Sequence, residues 1–184
     1  GMNGKSPETM KDNDEVLRLT HNLVIGTNKL ALIEAEKKAK SLGYMTQIIT
    51  DTLEGDVFKI VRYIVKKAMS AQKAKGTGKL CLLFGGEPTV KVTGTGLGGR
   101  NQHLVLLAAK MLEGNQGITI LSGGTDGTDG PTDAAGAVCD AETLIKAKEL
   151  NLSFDEYISN CDSYHFFEKA RGLLLTGPTG TNVM

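Results

Sequence analysis

The sequence predicts an α/β fold in three layers, α/β/α, built on a mostly parallel (mixed) sheet of about six strands. Strand-like runs alternate with helix-like stripes from residue 22 to residue 176, the pattern of parallel strands joined by right-handed crossovers. The helical stripes carry their own start and stop signals. One run, LCLLF at 80–84, is apolar throughout, as a central strand buried on both faces requires.

Residues 22–25 (NLVI) are the first strand candidate, closed by Gly26. Residues 28–42 put Leu30, Ile33, Ala35 and Ala39 on one helical stripe, and Gly43 stands where a C′ glycine stops such a helix. TQIIT at 46–50 is the next strand. Asp56 can cap a helix over 57–69, whose Val57, Ile60, Val61, Ile64 and Val65 keep helical spacing. A surface connection at 74–79 leads into strand 80–84. TVKVT at 89–93 alternates polar and apolar residues, so it is expected as a half-exposed edge or antiparallel strand. Residues 102–112 are apolar nearly all round, as in a buried helix. A strand at 118–121 follows, then a helix at 141–150 capped by Asp140. Ser153 and Glu156 fit a capping box that opens a short helix. A helix at 163–171 and a last strand, LLLT at 173–176, complete the chain.

Composition excludes several functions. A length of 184 residues suits one domain, or one and a small appendage, with a substantial core. Lys plus Arg and Asp plus Glu number 21 each, so no net field favours nucleic acid or an acidic membrane. No apolar stretch approaches the roughly 20 residues of a membrane span. Cys81, Cys139 and Cys161 are widely spaced and form no CxxC, which fits reduced thiols in a cytoplasmic setting. Residues 1–15 are polar and without period, a leader ahead of a domain over 16–184, and Gly1 before Met2 reads as the scar of a cleaved tag. A natural targeting segment, mitochondrial included, is therefore not legible.

The chemistry concentrates in two glycine-rich loops. Residues 85–136 hold 13 of the 23 glycines, in GGEPTVKVTGTGLGGRNQ from Gly85 and SGGTDGTDGPTDAAG from Ser122. Glycine serves where the backbone turns with positive φ or approaches a ligand closely. The loops also carry Glu87, Arg100, Asn101, Asp126 and Asp129, so a site for an anionic ligand is expected. Successive N–H groups at the start of the 102–112 helix favour an anion, and Arg100 adds a fork for phosphate or carboxylate. The plain alternative for Arg100 is a surface salt bridge. Glu87 follows the most apolar strand at its carboxyl end, where open α/β sheets bind ligands; it can also hold the Arg100 guanidinium. Asp126, Asp129 and Asp133 could hold Mg²⁺ through waters or cap turns as Asx residues. Asp126, first after GGT, is the functional choice, and for Asp129 and Asp133 the turn role is at least as good.

Gly94, Gly96 and Gly99 satisfy G-x-G-x-x-G, but the strand before them is half polar and no acidic residue ends a second strand about 20 positions on, as a dinucleotide site requires. There is no Walker A motif and no G-x-S-x-G elbow. His21 is expected on the surface, His165 in the interior, and His103 as a packing, capping or site residue.

The motifs GGEPTV, GTGLGGRNQ, SGGTDGTDGPTDAAGA, DSYHFF and TGPTGTNV, in that order, resemble those of glycerate 2-kinases, whose C-terminal part is called the MOFRL domain and some of whose members are labelled hydroxypyruvate reductase. The resemblance runs from about residue 22 to 183. It implies two α/β domains with the active site between them, and transfer of the γ-phosphoryl of ATP to glycerate, usually at the 2-hydroxyl, with Mg²⁺. By motif it implies catalytic roles for Glu87, Arg100 and Asp126 (the last also as a Mg²⁺ ligand). It further implies substrate or nucleotide binding by Gly86, Gly98, Gly99, Asn101, Thr125 and Asp129. His103 stands where Glu is common after GGRNQ, and Cys161 where Asn is usual before DS. The family's N-terminal domain with its catalytic Lys has no counterpart here, so these 184 residues alone are not expected to turn over. The competing functions are a non-catalytic nucleotide- or metabolite-sensing module and an NAD(P)-dependent hydroxypyruvate reductase.

Overall fold

The computed structural model describes residues 26–74, 76 and 78–183; the strand expected at 22–25 and the leader lie outside them. The element order is α1 (Asn28–Ser41), β1 (Met45–Asp56), α2 (Val57–Ala74), β2 (Leu80–Thr89), α3 (Arg100–Met111), β3 (Ile120–Gly123), β4 (Gly136–Cys139), α4 (Ala141–Glu149), α5 (Phe154–Ser159), α6 (Ser163–Ala170) and β5 (Leu173–Leu174).

Three helices start at the caps read from the sequence, Asp56, Asp140 and Ser153, and a fourth starts at Thr27. Thr27 accepts the Leu30 N–H at 3.2 Å, Asp56 those of Phe58 and Lys59, Asp140 that of Thr143 and Ser153 that of Glu156. Each satisfies amides that a helix start leaves without intrahelical partners. Gly43, at φ 81°, ends α1 in the left-handed region, as expected of a C′ glycine.

The sheets correct the expectation of three α/β/α layers around one mostly parallel, six-stranded sheet. Among the described residues there are two: a parallel pair β1–β2 and an antiparallel sheet in the order β3–β4–β5. A groove of about 1230 Å³ runs between β2 and β3, which leaves the apolar LCLLF run half-buried instead of covered on both sides. β1 and β2 outrun their apolar cores because their backbones keep pairing, through two irregularities in register, out to Asp56 and Thr89. Gly86 makes that pairing possible. Its φ is 144° and a Cβ there would run into the backbone of Leu53. TVKVT is not a strand beyond Thr89, since no neighbour among the described residues offers residues 90–93 a ladder. β4 was not expected; GAVC pairs with β3 and β5.

The position of α3 explains its composition. It packs on α2, on β3 and β4, and on α5 and α6, so between its exposed ends Asn101 through Ala109 are all buried. Val57, Val61 and Val65 of α2, Leu104 to Ala108 of α3 and Phe166 and Phe167 of α6 form the continuous core. Phe166 is ringed by Phe154, Tyr157 and Phe167 at centroid distances of 5.1, 5.4 and 5.2 Å. Burying such side chains contributes about 1.5–3 kcal/mol each. It anchors the start of α3, where the glycine loops meet.

Candidate active site

The Arg100 Nη2 lies 3.0 Å from the Glu87 Oε1, with 45% and 48% of the two side chains exposed. This pair stands beyond the carboxyl end of the apolar stretch of β2, on a ridge between two cavities. One, of about 700 Å³, is lined by Gly98, Gly99, His103 and Asp129 as well as the pair. The other is the groove between β2 and β3, whose upper end is lined by Gly86, Asn101, Ser122, Thr125 and Asp126. All nine residues expected at the site therefore line one cavity or the other, and Glu87 and Arg100 line both.

The two aspartates of TDGTDG, alike in sequence, occupy opposite environments. Asp126 is exposed and its Oδ1 accepts the Thr128 N–H at 3.1 Å, an Asx turn. Asp129 is 3% exposed. Its Oδ1 accepts the Asn101 N–H at 3.1 Å and the Asn101 Nδ2 at 3.0 Å, and its Oδ2 accepts the Gln102 N–H at 2.8 Å. Asp129 is thus not a surface turn residue: it closes the N-terminus of α3. Asn101 in turn accepts a hydrogen bond from Ser122 Oγ at 2.6 Å, tying α3 to the end of β3. Gln102 Nε2 reaches the Asp129 carbonyl and Thr132 Oγ1.

The glycine loop before α3 is strapped from its other side. Asn160 takes the Thr95 N–H through its side chain and the Gly96 N–H through its carbonyl. Asp162 Oδ1 takes the Leu97 N–H at 2.9 Å, and His165 Nδ1 lies 2.6 Å from the same oxygen. Sequence reasoning left this role of the DSYHFF segment unread, and His165 is half exposed instead of interior. The tail braces the Asp126 loop in the same way: Thr179 N–H donates to the Asp126 carbonyl at 3.0 Å and Val183 N–H to Thr125 Oγ1 at 3.2 Å. The place of DSYHFF and TGPTGTNV among the motifs that carry the resemblance was the available signal.

His103, one turn into α3, is 3% exposed, its ring edge-on to Phe58 at 6.1 Å and its Nδ1 without a partner. Burial holds its pKa below the ordinary imidazole value of about 6.5. The neutral form is therefore the folded one, and the unfolded chain gains the proton first as pH falls. Stability is expected to drop as pH falls from about 6.5 towards the lowered folded pKa. Thermal melts between pH 7.5 and 5.5 should show a steeper loss for the natural chain than for His103→Gln; equal slopes would contradict the cost of burying this ring.

The model of the MOFRL family matches residues 80–184. The chain belongs to the MOFRL family. Relatives of this MOFRL chain include the D-glycerate 2-kinase of Thermotoga maritima, 43% identical over 162 residues that cover 87% of this chain and 39% of that protein. The glycerate kinase of Rattus norvegicus is 36% identical over 209 residues, with 89% and 40% covered. The crystal structure of the Thermotoga maritima glycerate kinase matches with a TM-score of 0.82 at 42% identity, covering 88% of this chain and 39% of that one. A Pyrococcus horikoshii crystal structure matches with a TM-score of 0.78 at 34% identity, covering 100% and 42%. The resemblance read from the motifs holds, and the MOFRL chain spans about two fifths of the length of its curated relatives. No described helix is long and apolar enough to cross a membrane.

Proposed function

We propose that this chain is the C-terminal part of a glycerate kinase, moving the γ-phosphoryl of ATP to the 2-hydroxyl of D-glycerate in the cytoplasm. The observation that carries the proposal is Arg100, held by Glu87 at the start of α3 beside three amides, those of Gly98, Gly99 and Arg100, that have no partner among the described residues. Phosphoryl transfer is mostly positioning and charge stabilisation, and this corner supplies both: N–H donors at a helix start, and a guanidinium whose geometry matches phosphate or carboxylate oxygens. Asn101 N–H, included by sequence in the anion seat, is committed to Asp129, so the seat is narrowed to 98–100.

Glu87 orients the guanidinium or the substrate hydroxyl. Asp126, in the groove on the other side of the ridge, takes the hydroxyl proton or holds Mg²⁺. The fit to Mg²⁺ is that of a single ligand: among the described residues no group of three metal-ligating side chains converges, and Asp126 keeps one oxygen uncommitted. One or two carboxylates with substrate phosphates are the usual Mg²⁺ environment. When bound, Mg²⁺ neutralises phosphate charge; the chain's own residues bind and orient. The chain's natural partner would be an N-terminal domain bringing the family's catalytic Lys, so the 184 residues alone are expected to be inactive.

A dinucleotide-dependent reductase is the poorer fit because residues 90–99, ahead of α3, form no strand to build a βαβ unit. The full-length protein should release ADP from ATP only when D-glycerate and Mg²⁺ are both present. NADH oxidation with hydroxypyruvate and no ADP release would replace the kinase with the reductase, and binding without either reaction would favour a sensing module.

A further inference from the structure

We infer that Asp129 is the built-in anion of α3 and the positioning residue for Arg100, a group that steers the ligand's anion without touching it; this rests on the proposal that Gly98–Arg100 seat that anion. A helix start stabilises a negative group whether it belongs to ligand or protein. Here the place on the helix axis is taken. The buried Asp129 carboxylate holds the Asn101 and Gln102 amides and the Asn101 side chain. On the other flank Asp162 holds the Leu97 amide. Between them only Gly98, Gly99 and Arg100 keep uncommitted N–H groups among the described residues, and they line the cavity that Arg100 overlooks. A Cβ at Gly99 would run into Asp129, so the glycine lets the clamp close directly beneath the seat.

The arrangement gives a directional consequence. Without the Asp129 carboxylate, the Asn101 and Gln102 amides open onto the helix axis, and a phosphate or carboxylate can settle one step deeper. It would be bound as well or better, but away from the reacting geometry. A displacement on the order of 1 Å costs about 10²-fold in rate.

The test is Asp129→Ala in the full-length protein, assayed below its melting transition, with formate as a replacement for the missing carboxylate. The expected result is kcat lowered about 10²-fold, with KM for whichever of glycerate or ATP occupies the seat unchanged or lower. Formate should raise kcat, return KM towards the natural value and raise the variant's Tm; chloride at equal ionic strength should do none of these, and the natural protein should not be activated. A merely structural residue would move Tm alone. Natural kcat in the folded variant, or formate that restores nothing, overturns the assignment. If the alanine variant does not fold, Asp129→Asn takes its place: lowered kcat without a formate response supports the clamp, since the amide still fills the space, and natural kcat overturns it. Should the natural full-length protein phosphorylate nothing, the reaction proposal fails and the positioning role falls with it; natural activity in the full-length protein with natural kcat in the folded variant overturns the role of Asp129 alone.

Discussion

Arg100→Ala in the full-length protein should lower kcat and kcat/KM together by on the order of 10³-fold, the low end of what arginines supply to phosphoryl transfer. The joint loss follows if the guanidinium meets charge as it develops in the transition state. Stability should hardly change. The Glu87–Arg100 pair is nearly half exposed, and such pairs contribute roughly 0–1 kcal/mol. Arg100→Lys should recover little, because an ammonium on a flexible stem cannot reproduce two parallel N–H donors held by Glu87. Near-natural kinetics with an unchanged Tm would make Arg100 an ordinary surface partner of Glu87.

The second large effect separates the two aspartates of TDGTDG. Asp126→Asn keeps the oxygen that accepts the Thr128 N–H, so the turn persists and Tm should hold. It loses the negative charge needed to bind a cation or take a proton, and activity should fall by at least about 10²-fold. Asp129→Asn behaves differently. Its amide can accept through one atom only and sets an NH₂ against the Gln102 or Asn101 N–H, leaving a buried donor unsatisfied at a cost of about 1–3 kcal/mol. Melting curves and kcat on both variants decide the matter. Full activity in Asp126→Asn would remove Asp126 from the chemistry, and an unshifted Tm in Asp129→Asn would contradict the clamp.

What the sequence disclosed follows from the range of the forces involved. Helix starts were legible because a cap acts within three residues: Asp56, Asp140 and Ser153 bond amides that lie next to them in the chain. Strand limits were not, because a ladder is set by its neighbour. β2 runs on to Thr89 because β1 runs beside it, TVKVT stops there for want of a partner among the described residues, and β4 exists through β3 and β5. The Glu87–Arg100 pair could be anticipated, since both residues stand in glycine-lined turns at element ends. Asp126 is the functional choice on its place after GGT and Asp129 the turn residue, but which of them is buried was not legible, for each sits in the same Thr-Asp-Gly context. Only the packing of α3 over the second one buries it. Asp162 lies 65 residues from the amide it holds, a distance at which no local signal operates.

The central claim is that the corner built by Glu87, Arg100 and Asp126 serves phosphoryl transfer to a hydroxy acid. The most direct measurement is ³¹P NMR of the mixture formed by the full-length protein from ATP, Mg²⁺ and D-glycerate. The predicted result is ADP together with a phosphomonoester signal split into a doublet by the single proton on the 2-carbon, lost in Arg100→Ala. A triplet would move the transfer to the 3-hydroxyl. No phosphomonoester at all, or one formed equally well by Arg100→Ala, would contradict the assignment of this corner to the reaction.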